Sequence, residues 1–303
     1  MRTILVSNTG KWEEKEISRK EITTAFGIHT RDLRPVFTRK PTTAIFPRGK
    51  AIIICIRSVK IVIGAKEMMV FNLEKKKIVD YFLPSLVERI QAGKKENIRF
   101  EHLVTDSALH YIIEKMQRRF EEIERTNEQI MGKLHTELND ENFEQLLHLK
   151  KRLSKLETNV EETEREINEL IDDDEDMLEM YLGTRKPSDT EDLESILENI
   201  VEQIENISHR VDELNENIDD TQEIITLKMS NLRNAIIKFN LILTAATGIL
   251  AILAVIVGFY GMNIRNHMEN DPLAIWWIGL ILLIIFLFGF GGLLTYLKRK
   301  KLL

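Results

Sequence analysis

Residues 228–263 read KMSNLRNAIIKFNLILTAATGILAILAVIVGFYGMN, and their pattern decides what kind of chain this is. From Phe239 to Tyr260, 22 positions pass without an Asp, Glu, Lys, Arg or His. That reaches the roughly 20 apolar residues needed to cross a bilayer. The stretch is not uniformly apolar, however. Arg233, Ile237, Asn240, Thr244, Thr247, Ala251, Ala254 and Gly258 step by four or three, which places them on one helical face. Apart from Ile237 that face is polar or small, while Leu241, Leu243, Ile249, Leu250, Ile252, Leu253, Val255 and Ile256 cover much of the rest. Close helix packing through small residues accounts for the alanines and the glycine. The wall of a water-filled pore accounts also for Arg233, Asn240 and the threonines. The sequence therefore favours a pore-lining face. One such helix cannot enclose a pore, so the reading requires a ring of subunits.

Working outward, a second span follows closely. Leu273–Leu297 holds 25 consecutive residues without a charged or histidine side chain, with Trp276 and Trp277 near one end as an interfacial aromatic belt. Lys228, Arg233 and Lys238 precede the first span, and Lys298, Arg299, Lys300 and Lys301 follow the second. The positive-inside rule places both termini inside, with the short segment Gly261–Pro272 outside. Over the whole chain of 303 residues the averages look soluble, with 30% charged residues and a mean hydropathy of −0.16. These averages hide two spans attached to a large polar region. They argue against both a freely soluble protein and a many-helix transporter.

Upstream of the first span, Leu193, Leu197, Ile200, Ile204, Ile207, Val211, Leu214, Ile218 and Ile225 alternate spacings of three and four, as a coiled-coil seam requires. No proline interrupts the chain between Pro187 and the span. The pattern predicts one helix from about Asp189 to Tyr260, roughly 100 Å long at 1.5 Å per residue. Earlier apolar stripes run through Leu109, Ile113, Met116, Phe120, Ile123, Ile130 and Leu134, then Leu146, Leu153, Leu156, Val160, Ile167 and Leu170. Acid is dense here. Residues 161–176 carry ten Asp/Glu and one Arg, and residues 189–223 carry thirteen and one. Carboxylates at this density are tolerable when facing chains trap hard divalent cations between them.

The amino-terminal part reads differently. Thr3–Val6, Thr43–Phe46, Ala51–Ile56, Val59–Ile63 and Met68–Phe71 are short, β-branched-rich runs of a small sheet, punctuated by Pro47–Gly49 and Gly64. Residues 1–60 hold 13 Lys/Arg against 5 Asp/Glu, but no motif supports nucleic-acid binding. Without an apolar core and with Glu13, Glu14 and Glu16, the first residues suit neither a signal nor a transit peptide. They are expected to begin the mature domain. The single cysteine, Cys55, excludes an internal disulfide. The seven histidines have no zinc-site spacing. No Walker loop, G-x-S-x-G or G-x-G-x-x-G is present, which argues against a nucleotide-driven pump and against an enzyme.

The resulting fold class is an α+β amino-terminal cytosolic domain with a long helical stalk and two carboxy-terminal transmembrane helices. We divide the chain into an α/β regulatory domain (1–105), a helical hairpin with an acidic turn (106–188) and a stalk helix entering the first span (189–260, with the span at about 236–260). An external loop (261–272), a second span (273–297) and a basic tail (298–303) complete it.

Tyr260-Gly261-Met262-Asn263 stands at the lip of the polar-faced span. With this motif, the stretch 212–244 leading into the span, DDDEDMLEMYL (172–182), the basic tail, TRDLRPVF (30–37) and AIFPRGKAIIICIRSVKIVIGAKEMMVFN (44–72), the chain resembles the Mrs2/Alr branch of the CorA superfamily of magnesium channels. The resemblance implies a CorA-like homopentameric funnel in a lipid membrane that passes Mg²⁺ passively inward and is closed by internal Mg²⁺. It implies an outer mouth at Gly261, Met262 and Asn263. There Gly261 permits a tight turn, Asn263 holds a hydrated Mg²⁺, and Glu269 and Asp271 raise the local cation concentration. Glu169, Asp172, Asp173, Glu213, Asp219 and Asp220 become the regulatory Mg²⁺ ligands between subunits. Arg233 matches a pore arginine of some relatives, as a barrier or as a ring bridged by Cl⁻. Ser230 stands where some relatives carry an acid, a departure at an inner ion site. The same fold transporting Zn²⁺, Co²⁺ or Ni²⁺ is an alternative that the lack of clustered His and Cys disfavours. A membrane-anchored coiled-coil tether is another, and it leaves the polar face without a purpose. Neither nucleic acid nor nucleotide is expected as a partner. A bacterial inner membrane is favoured, with the mitochondrial inner membrane as the alternative.

Overall fold

Ala51–Ile56 is buried at every position, so a strand here must be covered on both faces. The structure, a computed structural model, describes residues 2–38, 40, 42–71, 78–96, 98–136, 140–183, 190–262 and 273–300. It contains two compact units, 1–219 and 220–303. In the first, strands β1 (Arg2–Ser7), β2 (Trp12–Glu16), β3 (Thr43–Arg48), β4 (Ala51–Ile56), β5 (Val59–Gly64) and β6 (Glu67–Phe71) form one sheet in the order β2-β1-β6-β5-β4-β3. All its neighbours are antiparallel.

The register explains the burial. Phe46, Ile53, Val62, Met69 and Leu5 are successive cross-strand partners. Their face packs on Ile22 and Phe26 of helix α1 (Arg19–Phe26) and on Leu33 and Val36 around the short helix α2 (Arg34–Phe37). Ile45, Ile54, Ile61, Val70 and Ile4 form the parallel row on the opposite face. Helix α1 begins with a capping box. The Glu21 amide donates to Ser18 Oγ at 3.3 Å, and the Ser18 amide donates to Glu21 Oε2 at 2.8 Å. It ends at Gly27, with φ +65°.

A π-helical turn, Ile78–Phe82, enters α3 (Leu83–Glu96). Helices α4 (Phe100–Thr136) and α5 (Asp140–Ile171) then pack against each other, α4 also meeting β5 and α5 meeting β3. The short α6 (Asp174–Glu179) follows, and then α7 (Glu191–Tyr260), 70 residues without a break. Within the first unit, Leu193, Leu197, Ile200, Ile204, Ile207, Val211, Leu214 and Ile218 of α7 are all buried. Arg210 ties α7 to α4, its guanidinium carbon 4.5 Å from the Phe120 ring centre and its NH2 3.4 Å from Glu124 Oε2. Lys150 of α5 pairs with Asp219. The second unit comprises the rest of α7 and α8 (Ala274–Arg299).

The structure corrects two sequence expectations and adds one strand that was not expected. Pro47 does not end β3; it pairs with Ile52 inside the strand. This is tolerated because β3 is an edge strand, where a missing N–H costs no ladder bond. The helix expected from Asp106 starts earlier, at Phe100. Strand β2 (WEEKE), exposed throughout, carries no apolar alternation that sequence reading could detect.

Candidate functional site

Arg233, Ile237, Asn240, Thr244, Thr247, Ala251, Ala254 and Gly258 all lie on the unbroken α7, within an arc of roughly 100° at 3.6 residues per turn. Every one of them is exposed in the chain. The shielded positions of the same stretch are Ile242, Ala245, Ala246, Ile249 and Leu253, and they lie on the opposite side of the helix. That is the side toward α8, since a Cβ on Gly289 would stand 4.0 Å from Ile249 Cδ1. The polar and small residues are therefore not the ones that pack against the chain's own second span. Thr247 Oγ1 donates to the Leu243 carbonyl at 2.8 Å. Ser230, one turn before Arg233, is also exposed.

At the end of α7 the Gly261 amide donates to the Val257 carbonyl at 2.9 Å, and the Met262 amide donates to the Phe259 carbonyl at 3.4 Å. Gly261 does not take a positive φ. Its amide prolongs the helical bonding into a turn at Gly261 and a bend at Met262. Asn263, Glu269 and Asp271 lie outside the described residues.

The six carboxylates expected to sense Mg²⁺ are exposed and occupy different settings. Asp173 caps α6, accepting the Glu175 and Asp176 amides at 3.0 Å each. The Asp172 amide donates to the Asn168 carbonyl at 2.9 Å. Glu169 lies 3.8 Å from Arg165 Nε, and Asp219 accepts from Lys150. Glu213 and Asp220 project from α7. Among the described residues of a single chain, no group of three or more His, Cys, Asp or Glu is placed to hold a metal ion.

Sequence reading missed a different acidic contact. Across α5 and α7, burial and then the charges of Glu161 and Asp212 push the Glu157 carboxyl above its usual range. Burial followed by Glu205 and Glu161 does the same to Glu164. Burial and then Glu169 raise Glu166. The acid count in 161–176 was the available signal. Which of those acids face α7 required the packing.

Both apolar segments meet the length and composition of membrane spans, each with a window of mean hydropathy 2.6 and at most 6% of that window buried. Two exposed helices of this length and composition place the chain among integral membrane proteins. The sequence model of a family described as "Magnesium transporter MRS2-like" matches residues 2–233. Magnesium transporter MRS2-B of Oryza sativa subsp. indica is 25% identical over 360 residues, covering 97% of this chain and 82% of that protein. Magnesium transporter MRS2-5 of Arabidopsis thaliana is 24% identical over 369 residues, covering 98% and 87%. Among solved structures, the CorA magnesium transporter of Methanocaldococcus jannaschii superposes with a TM-score of 0.67 at 18% identity, over 99% of this chain and 98% of the other. The full-length CmaX protein gives 0.65 at 12%, over 99% and 97%. The chain belongs to the MRS2-like magnesium transporter family, and its fold is that of the CorA magnesium transporter. It is not an enzyme.

Proposed function

We propose that the protein is one subunit of a homopentameric channel that passes Mg²⁺ passively inward. The observation that carries this reading is the exposed polar face of α7, turned away from the side that meets α8. A face of amides, hydroxyls and small residues next to lipid would leave polar groups unsatisfied. Arranged around an axis, the same face lines a wet path. Asn263, with Gly261 and Met262, forms the outer mouth and first holds Mg²⁺ through its waters, because that ion dehydrates reluctantly. Glu269 and Asp271 concentrate cations there. Arg233 forms an inner ring that either opposes cations or is bridged by Cl⁻. Both termini lie inside, in a bacterial inner membrane or, as the alternative, a mitochondrial one.

Feedback follows from the acidic unit. Internal Mg²⁺ bound between subunits at Glu169, Asp172, Asp173, Glu213, Asp219 and Asp220 holds the funnel closed, and its loss lets like charges separate the subunits. A ligand shifts such an equilibrium only by its differential affinity for the two states. The test is Mg²⁺ flux through purified protein in liposomes, with and without Mg²⁺ on the side of the termini. Asn263→Ala should abolish flux while the oligomer persists. Neutralising Asp172, Asp173, Asp219 and Asp220 together should preserve flux and remove inhibition by internal Mg²⁺. Wild-type protein that carries no Mg²⁺ would overturn the channel reading, and unchanged inhibition in the quadruple variant would overturn the feedback.

A further inference from the structure

Three arginines line a cavity that holds none of the residues assigned to the ion path. It measures about 420 Å³ and opens on the α1–α2 side of the sheet, where Arg19, Arg31 and Arg34 line it with Thr30, Thr38 and Phe37. The segment that carries the two later arginines is anchored from below: Leu33 and Val36 are at most 1% exposed. Successive turns, with the Asp32 amide on the His29 carbonyl at 3.0 Å and the Arg34 amide on the Arg31 carbonyl at 3.1 Å, hold Arg31 and Arg34 on either side of Leu33. The Arg19 guanidinium carbon stands 4.4 Å from the Phe37 ring centre, a cation–π contact that fixes it at the cavity. Beneath, the buried Lys60 donates to the Val36 carbonyl at 3.1 Å and to the Thr38 carbonyl, clamping the main chain of the wall. The Thr38 hydroxyl accepts the Lys40 amide at 3.3 Å, which leaves its own proton to donate.

The protein neutralises this charge only in part. Arg31 Nε has Asp32 Oδ1 at 3.4 Å. Among the described residues, neither Arg19 nor Arg34 has a carboxylate partner. Like charges gathered at one cavity repel, and an anion reverses the sign of that energy. Guanidinium forks present paired donors that match the oxygens of phosphate. Three of them call for an anion with more charge and more oxygens than a single carboxylate. A cavity of about 420 Å³ also has more room than one orthophosphate fills, and lies within the range of small-molecule sites.

We infer that Arg19, Arg31 and Arg34, with the Thr30 and Thr38 hydroxyls, form a binding site for a polyanionic phosphate, either a free diphosphate-type anion or the phosphorylated headgroup of a lipid. The site shares no residue with the proposed ion path, so its occupancy and Mg²⁺ flux are independent measurements. The experiment titrates full-length protein in zwitterionic nanodiscs, by calorimetry without divalent cations, first with sodium diphosphate and then with a short-chain phosphatylinositol phosphate. Saturable binding of one equivalent per chain is expected. Arg31→Gln and Arg34→Gln should each weaken it by roughly ten- to a hundredfold, the loss of charged hydrogen bonds. Arg34→Lys, which keeps the charge and loses the fork, should weaken it less than Arg34→Gln. Tighter binding of the lipid analogue assigns the site to a headgroup, and tighter binding of diphosphate assigns it to a free anion. No saturation by either probe at about 1 mM, or binding unchanged in correctly folded Arg31→Gln and Arg34→Gln, would overturn the proposal.

Discussion

His102, near the start of α4, is 5% exposed, and its Nε2 has no hydrogen-bond partner among the described residues. Its ring meets Tyr181 edge-on with centres 4.5 Å apart. Burial, followed by the neighbouring Arg99, pushes the imidazole down to about 4, against a smaller opposing pull from Asp192. The unfolded chain therefore binds a proton between pH 6.5 and about 4 that the native state refuses. Native stability falls as the pH drops through that window. His102→Phe keeps the ring contact and removes the titration. Its melting temperature should decline less than the wild type's over the same pH range, and an equal decline would assign the acid sensitivity elsewhere. Glu164 has the opposite sign. Its raised carboxyl pKa, from burial and then Glu205 and Glu161, makes its charged form a cost above the usual carboxylate range and no cost below it. Glu164→Gln should raise the melting temperature in EDTA at pH 7, by about 1–3 °C for a half-screened charge.

At the scale of elements, what could be read in the sequence follows from how each element is covered. Strand β4 shows as a run of Ala, Ile and Cys because both faces are buried. The seam of α7 shows because one stripe is buried along its length in the first unit. Strand β2 exists through backbone pairing with β1, and pairing leaves no trace in side-chain pattern. Helix α1 was legible in principle, since Ser18 and Glu21 are the signature of its capping box. The face of α7 was readable from spacing. The side of α7 that meets α8 was not, because leucines and isoleucines surround most of that helix. The arginine cavity joins Arg19 to Arg31 and Arg34 only once α1 and α2 pack on the same face of the sheet. The contrast between strands is measurable. Ile53→Ala should cost about 2–5 kcal/mol, whereas Glu13→Ala on β2 should stay within ~0.5 kcal/mol, compared by chemical denaturation of the full chain.

For the whole molecule, the averages that resemble a soluble protein belong to a large polar unit joined to two exposed, apolar spans. Leu243, Ile252, Val255 and Leu287 are among the large apolar side chains that a lone chain leaves uncovered. Lipid and neighbouring subunits have to cover them. The proposed ring predicts that the purified protein runs in detergent at the mass of five chains of 35.3 kDa, measured by native mass spectrometry, and a monomer retaining Mg²⁺ flux would refute the ring. Within such a ring, the hydrogen bond from Thr247 to the Leu243 carbonyl acquires a directional meaning. Because the hydroxyl proton is committed to the helix backbone, the oxygen turns only lone pairs outward. Waters around a divalent cation point their hydrogens away from it and find acceptors there. The backbone of a single turn thus polarises the threonine, and in the proposed pentamer five such oxygens would turn acceptors toward the outward-pointing hydrogens of a hydrated cation.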